Sequence, residues 1–119
     1  MLDTTGATIL LADDEPAIRT LIEAALQAEG YRVLPARNGY EALKVFEERG
    51  ADIDMVITDM RMPYIGGSDL IAALQARSAT LKCLCITGYA ADSNLGLPLL
   101  SKPFSRSDLL RTVREVLAS

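Results

Sequence analysis

The sequence has 119 residues, 50% of them hydrophobic and 24% charged, which is enough apolar material for one domain with its own core. A net charge of −4, without any Lys/Arg cluster, argues against nucleic acid as a direct partner. The chain contains no histidine, which excludes catalysis by a histidine base and, with only two cysteines, the common zinc and haem sites.

Nothing in the sequence predicts contact with a membrane. The first residues lack a basic stretch followed by a long apolar one, and no run approaches the ~18 apolar residues of a membrane span. We therefore expect a cytoplasmic protein. Cys83 and Cys85 lie two apart in a strand-like stretch, so both point to one face and are expected to be core residues rather than a disulfide pair.

Strand and helix patterns alternate through the first part of the chain. Residues 8–12 are an apolar run that predicts a strand ending in three acidic residues. Apolar residues spaced for one buried face predict a helix over 16–29. Residues 31–36 predict a weaker strand, and Pro35 suits the edge of a sheet because proline cannot donate to a neighbouring strand. Residues 38–50 then predict a turn and a second helix.

The centre of the chain predicts a strand that is buried on both faces. The short apolar run over residues 55–57, β-branched at Val56 and Ile57, delivers Asp59 at its carboxyl end. A loop over residues 63–67 follows it. Ser68 is the expected N-cap of a third helix.

The last connection between strands is too short for an ordinary helix. Residues 81–86 and 97–100 predict the fourth and fifth strands. Only residues 88–96 separate Thr87 from the fifth strand, whereas a parallel crossover with its helix usually needs at least ~10–12 residues. We therefore expect this fourth helix to be one turn, distorted or absent. Ser105 is the expected cap of the final helix.

This alternation predicts an α/β fold with a central parallel sheet and helices on both sides. No internal repeat, low-complexity segment or linker interrupts the pattern. Residues 1–119 are therefore expected to form a single domain.

Chemically distinctive residues follow the predicted strands. Asp13 and Asp14 follow the first, Asp59 ends the third, Thr87 ends the fourth and Lys102 follows the fifth. In a doubly wound sheet the first and third strands are neighbours, so their carboxylates would meet. Two like charges 4 Å apart repel by about 4 kcal/mol at an effective dielectric of 20, so Lys102, a hard divalent ion or both must compensate.

The chemistry of such a cluster favours phosphoryl transfer. Every candidate ligand is an oxygen atom, which favours Mg²⁺ over zinc. A carboxylate beside a magnesium ion, a hydroxyl and a lysine can act as a nucleophile and form an aspartyl-phosphate, and Asp59 is our candidate. Taken singly, each feature has a simpler explanation. The acidic run could be a helix cap, Thr87 could be the end of an ordinary strand, and Lys102 could belong to a solvated loop. Their coincidence at one sheet edge is what indicates a site.

Four motifs carry a resemblance to a known family. They are Ala12-Asp13-Asp14-Glu15, Thr58-Asp59-Met60-Arg61-Met62-Pro63 with Gly67 following, Thr87-Gly88-Tyr89, and Ser101-Lys102-Pro103-Phe104. With them the sequence resembles two-component response-regulator receiver domains over essentially its whole length. The resemblance implies a flavodoxin-like (βα)5 doubly wound fold with a five-stranded parallel sheet of order 2-1-3-4-5.

The resemblance also implies the roles of the site residues. Asp59 would accept a phosphoryl group from the phosphohistidine of a histidine kinase or a histidine phosphotransfer protein. Asp14, Asp59 and the backbone carbonyl of Arg61 would bind Mg²⁺ directly, and Asp13 would support the ion through water.

Thr87 and Lys102 would contact the phosphoryl oxygens in the same picture. The Lys102-Pro103 bond is expected to be cis. A receiver of this kind catalyses its own aspartyl phosphorylation and dephosphorylation and is not a conventional turnover enzyme.

Two departures from the family pattern refine the expected function. Leu99 stands three positions before the lysine, where receivers usually carry a Tyr or Phe that turns inward on activation, and Tyr89 is an alternative movable ring. Relatives dimerise through a surface that the short segment 88–96 alters in this chain. We therefore expect a monomer or weak dimer. In both departures the chain is similar to the receivers of hybrid histidine kinases or to stand-alone relay proteins. This similarity predicts a phosphorelay role without DNA-binding output.

Three other classes share some of these features. A haloacid-dehalogenase-like phosphatase needs a second carboxylate two residues after its aspartate, where this chain has Arg61. A nucleotide-binding loop presents backbone N–H groups to phosphate, whereas residues 12–14 present negative charge. The remaining alternative is a receiver-like interaction module that no longer switches, which Leu99 favours and the intact set of site residues opposes.

Overall fold

Strands and helices alternate along the chain in the computed structural model, which describes residues 6–89, 91, 92 and 96–119. The strands are β1 (Thr8–Ala12), β2 (Arg32–Ala36), β3 (Met55–Asp59), β4 (Lys82–Thr87) and β5 (Leu99–Ser101). The helices are α1 (Pro16–Ala28), α2 (Gly39–Arg49), α3 (Gly67–Arg77) and α4 (Arg106–Ala118), with a 3₁₀ turn at Gly50–Asp52.

The five strands form one parallel sheet in the order β2-β1-β3-β4-β5. This is the doubly wound, flavodoxin-like arrangement that the sequence predicts. The order in which strands are added reverses between β1 and β3, which lie side by side and parallel with Ala12 opposite Thr58. Ligands of such sheets bind outside the carboxyl ends of the strands at this point, so the register fixes where a site can form.

Both faces of the sheet are buried, which explains why its central strands are apolar throughout. In β1, Ile9 and Leu11 contribute to one core cluster with residues of α1 and α4. Leu10 and Ala12 contribute to the other, with residues of α2 and α3. Cys83 and Cys85 are free and lie in this second cluster, which confirms the prediction for them.

Side-chain caps mark the starts of two of the described helices, α2 and α4. The Asn38 side chain accepts a hydrogen bond from the Glu41 N–H at 2.8 Å, and Ser105 forms a capping box with Asp108, as predicted. The prediction for Ser68 is wrong. Gly66 is the N-cap of α3, because the Gly67 N–H donates to the Met60 carbonyl at 3.0 Å and draws the helix start against the end of β3. None of the helices in the described part of the chain is long and apolar enough to cross a membrane.

The connection from β4 to β5 departs from regular (βα)5 geometry, as predicted. Of residues 88–98, those described are 88, 89, 91, 92 and 96–98, and none of these lies in an α-helix. The Asp92 N–H closes a turn by donating to the Tyr89 carbonyl at 3.1 Å. β5 begins two residues later than expected, because Pro98 has no N–H to donate to β4 and offers only its carbonyl, to Cys85.

Candidate functional site

Three carboxylates meet at the carboxyl edge of β1 and β3. One oxygen each from Asp13, Asp14 and Asp59 lies within 4.8 Å of the others. Asp13 and Asp59 are buried, with 0% and 5% of their surface exposed, and Asp14 is more accessible. The structure therefore brings together the three acidic residues that the sequence placed at this edge.

Backbone hydrogen bonds fix the position of Asp13 directly after β1. Its N–H donates to the Ala36 carbonyl at 3.1 Å and so continues the pairing with β2. Its carbonyl accepts from the Arg19 guanidinium at 2.8 Å, and its Oδ1 accepts from the Glu15 N–H at 2.9 Å. The latter contact is an Asx turn that leads the chain into α1.

The second oxygen of Asp13 is the unusual feature of the site. Its Oδ2 is buried and has no hydrogen-bond partner in the described part of the chain. Burial raises the pKa of Asp13 to about 6, with a further increase from the negative charge of Asp59, while the Glu15 N–H opposes the change. A buried oxygen without a partner is costly, and here it faces two more carboxylates. An all-oxygen cluster with one unsatisfied atom fits a hard divalent cation such as Mg²⁺.

Asp59 lies between the cluster and a lysine. The Nζ of Lys102 is 3.6 Å from its Oδ1 and 4.0 Å from the Oε1 of Glu15. Burial raises the pKa of Asp59, and the lysine charge acts in the opposite direction. Lys102 is held beside Thr87 by its own N–H, which donates to the Thr87 carbonyl at 2.8 Å, and the Lys102-Pro103 bond is cis as predicted.

Thr87 takes part in a network on the other side of Asp59. Its hydroxyl donates to Oδ2 of Asp92 and accepts from the Tyr89 N–H at 3.0 Å. The Oδ1 of Asp92 accepts from Nη2 of Arg61 at 2.9 Å, and the Arg61 guanidinium lies over the Tyr89 ring, 4.5 Å from its centre. Four residues thus form one continuous polar and cation–π network.

An open cavity of about 480 Å³ gives access to the Asp59 carboxylate. Its lining residues are Glu15, Asp59, Arg61, Gly88, Tyr89 and Lys102. Arg61 also lines a neighbouring cavity of about 590 Å³ together with Asp92. The contact between Arg61 and Asp92 therefore lies beside the cavity that leads to Asp59.

Sequence reasoning found most of this site and missed part of it. The side chain of Arg61, whose carbonyl was the expected ligand atom, forms an ion pair with Asp92. Asp92 is the residue that was missed: it lies in a connection without hydrophobic periodicity, 31 positions from Arg61, and no motif marks it. Leu99 pairs with Cys85 of β4 and packs partly buried against the second core cluster.

The fold and this cluster define a class of protein, and comparisons with known proteins agree with it. Residues 9–114 match the family model of the response regulator receiver domain. The chain therefore belongs to the receiver domain family of two-component systems.

Individual relatives include kinase-attached receivers. The chain is 39% identical over 125 residues to the sensor kinase CckA of Brucella abortus (strain 2308), a match that covers 97% of this chain and 13% of that protein. It resembles the crystal structure of the receiver domain from the hybrid histidine kinase CckA with a TM-score of 0.83 and 35% identity, over 93% of this chain and 99% of that one. The chain spans half or less of the length of curated relatives that it matches.

One similar structure contains a metal ion and a phosphoryl analogue. The response regulator TrrA of Thermotoga maritima, solved in complex with Mg²⁺-BeF, matches with a TM-score of 0.82 and 33% identity over 92% of this chain and 98% of that one. Magnesium binding is thus a property found in this family, and the acidic cluster described above is where this chain offers ligands.

Proposed function

We propose that this receiver domain is a phosphoacceptor that takes a phosphoryl group onto Asp59 from the phosphohistidine of a histidine kinase or histidine phosphotransfer protein, in a reaction that depends on Mg²⁺. The observation that carries the proposal is the meeting of three carboxylates, one with an unpartnered buried oxygen, beside the Lys102 ammonium. No histidine is present in these 119 residues, so the phosphohistidine must lie outside them.

The transfer itself needs little covalent chemistry from the protein. A carboxylate oxygen of Asp59 attacks the phosphorus atom, the P–N bond of the phosphohistidine breaks, and its electron pair stays on the imidazole nitrogen of the partner. Lys102, 3.6 Å from the carboxylate, neutralises charge on the transferred group. The Thr87 hydroxyl donates a hydrogen bond to a phosphoryl oxygen once that group is in place.

The metal would be held by the residues already at the edge of the sheet. Asp14, Asp59 and the Arg61 carbonyl are the proposed direct ligands, and Asp13 supports the ion through water. When bound, Mg²⁺ supplies positive charge to the phosphoryl oxygens. The chain's part is to keep Asp59 ionised and accessible, and Lys102 serves this by opposing the increase in pKa that burial causes.

We propose further that the whole chain, residues 1–119, is one receiver domain that serves a phosphorelay or a hybrid kinase rather than a DNA-binding output. The similarity to CckA, whose name describes a sensor kinase, supports this. The absence of an α-helix among the described residues between β4 and β5 supports it too, because that surface commonly carries output contacts in the family. A non-switching interaction module is the second candidate, favoured by Leu99 at the usual aromatic position.

Intact-mass spectrometry after incubation with Mg²⁺ and acetyl phosphate tests the proposal. We expect one phosphate adduct in the wild type, and none in Asp59→Asn or in excess chelator. Asp52→Asn is the matched control, because Asp52 is an exposed acid that precedes β3 at the opposite edge of the sheet. An adduct that persists in Asp59→Asn would rule out Asp59 as the acceptor. No adduct under conditions that label a known receiver would favour the non-switching module.

A further inference from the structure

Asp92 is a buried acid with a complete set of partners on the acceptor side of the sheet. Only 6% of its surface is exposed. Oδ2 accepts the Thr87 hydroxyl and Oδ1 accepts the Arg61 guanidinium at 2.9 Å. The proposed function places the Thr87 hydroxyl against the phosphoryl group and uses the backbone carbonyl of Arg61 as a metal ligand.

The Thr87 hydroxyl can donate a single hydrogen bond, and it donates that bond to Asp92. The same proton cannot also be given to a phosphoryl oxygen on Asp59. The other contact of this hydroxyl, from the Tyr89 N–H at 3.0 Å, uses it as an acceptor and leaves the donor position with Asp92. A phosphoryl group that binds Thr87 must therefore displace the carboxylate of Asp92.

We propose that Asp92 is a positioning residue that holds the Thr87 hydroxyl away from the acceptor site until a phosphoryl group on Asp59 competes for it. The inference rests on the proposed function, because it assumes that Thr87 binds the phosphoryl group. Leu99 has no aromatic ring with which to control Thr87. The proposal gives that control to the carboxylate of Asp92, which forms an ion pair with Arg61, and the Arg61 guanidinium lies over the Tyr89 ring. When Thr87 leaves, Asp92 keeps Arg61 as its counter-ion and so remains paired.

The expected consequence is that removal of the Asp92 carboxylate makes a phosphoryl analogue bind more tightly. A hydrogen bond to a charged group is strong enough for Asp92→Ala to raise the affinity for beryllofluoride, in saturating Mg²⁺, by roughly tenfold. Asp92→Asn keeps the shape and one acceptor oxygen but loses the charge, so we expect a gain of roughly threefold. Titration calorimetry measures both, and circular dichroism checks that each variant is folded.

A double-mutant cycle separates this role from a merely structural one. If Asp92 acts through Thr87, its removal changes nothing in a Thr87→Ala background. The same cycle excludes the simpler explanation that a freed Arg61 guanidinium binds the analogue, because that gain would persist without Thr87. Asp52→Ala removes an exposed acid that is also paired with an arginine, and we expect no change in affinity.

The possible outcomes distinguish the inference from the proposed function beneath it. Wild-type binding that is lost in Asp59→Asn, together with tighter binding in both Asp92 variants only when Thr87 is present, supports the inference. Unchanged or weaker binding in the folded Asp92 variants, or a gain that survives Thr87→Ala, overturns this inference alone. Absence of wild-type binding, or binding that survives Asp59→Asn, overturns the proposed function and the inference with it.

Discussion

The Asp13 side chain is fully buried, and one of its oxygens has no partner among the residues described. Burial raises its pKa from 3.8 to about 6. The folded protein therefore keeps this proton up to about pH 6, whereas the unfolded chain releases it near pH 4. Because the folded state binds more protons in this range, the contribution of Asp13 to the free energy of unfolding falls as pH rises from about 4 to 6 and stays low above it.

Asp13→Asn is therefore expected to stabilise the metal-free protein. The gain in unfolding free energy is about 2 to 3 kcal/mol at pH 8, from the difference between the two pKa values, and roughly half of that at pH 5. Urea denaturation in chelator at the two pH values measures it. Asp52→Asn, at an exposed position, serves as the control. A gain of the same size at both pH values would show that the charge of Asp13 is not the cause.

Gly67 is the residue where the site tolerates no side chain. A Cβ there would lie 2.6 Å from the Asp59 carbonyl oxygen and 2.9 Å from the Met60 Cα. Both are backbone atoms that cannot turn aside. We expect Gly67→Ala to lower the free energy of unfolding by about 1–3 kcal/mol, as overpacked positions do, and to slow labelling of Asp59 by acetyl phosphate.

The neighbouring glycine provides the matched control for that change. A Cβ at Gly66 would lie 3.4 Å from the Met60 carbonyl oxygen, which is an ordinary contact, and we expect Gly66→Ala to label at nearly the wild-type rate. Chemical denaturation and time-resolved mass spectrometry follow the two variants. Equal labelling rates in Gly66→Ala and Gly67→Ala would contradict the role given to the contact with Asp59.

At the scale of elements, the positions of the strands and helices could be predicted from hydrophobic periodicity and from the residues that end each element. Asp13 and Asp59 could be placed at one edge because each ends an apolar run that both faces of the sheet bury. Gly66 could not be preferred to Ser68 as a cap, because the start of α3 is set by the approach of Gly67 to the end of β3. Asp92 could not be found because no motif marks it and one of its partners, Arg61, lies 31 positions away in the chain.

The capping residues give a direct test of that distinction. Ser105→Ala removes a side chain that accepts from the Asp108 N–H at 3.0 Å and forms half of a capping box, so we expect a loss of about 1 kcal/mol. Ser68→Ala changes a residue inside the first turn of α3, and we expect a loss below about 0.5 kcal/mol. Thermal unfolding of both variants measures the contrast. A larger loss for Ser68→Ala would restore Ser68 as the functional cap.

At the scale of the whole molecule, the acidic edge couples metal binding to folding. The three carboxylates come from two distant segments of the chain, Asp13 and Asp14 after β1 and Asp59 at the end of β3, so only the folded protein brings them together. A ligand that binds the folded state alone stabilises it in proportion to the logarithm of its concentration. Because a bound cation offsets the repulsion between the assembled carboxylates, the free energy of unfolding is expected to depend on the concentration of that cation.

Magnesium is therefore expected to raise the free energy of unfolding of the wild type by about 2.7 kcal/mol at one hundred times its dissociation constant. The effect should shrink in Asp13→Asn and in Asp59→Asn, which remove parts of the cluster. Denaturation in MgCl₂ is compared with NaCl of equal ionic strength, since salt alone screens repulsion. Equal stabilisation by the two salts would mean that no specific site is formed.

The two outer strands decide how such a molecule behaves in concentrated solution. On one side the sheet ends at β2, where the exposed Pro35 has no N–H to offer, and on the other at β5, which is three residues long. Each edge therefore gives a neighbouring chain few backbone groups to pair with. Growth of the sheet from molecule to molecule, the first step of fibril formation, is therefore disfavoured at both edges.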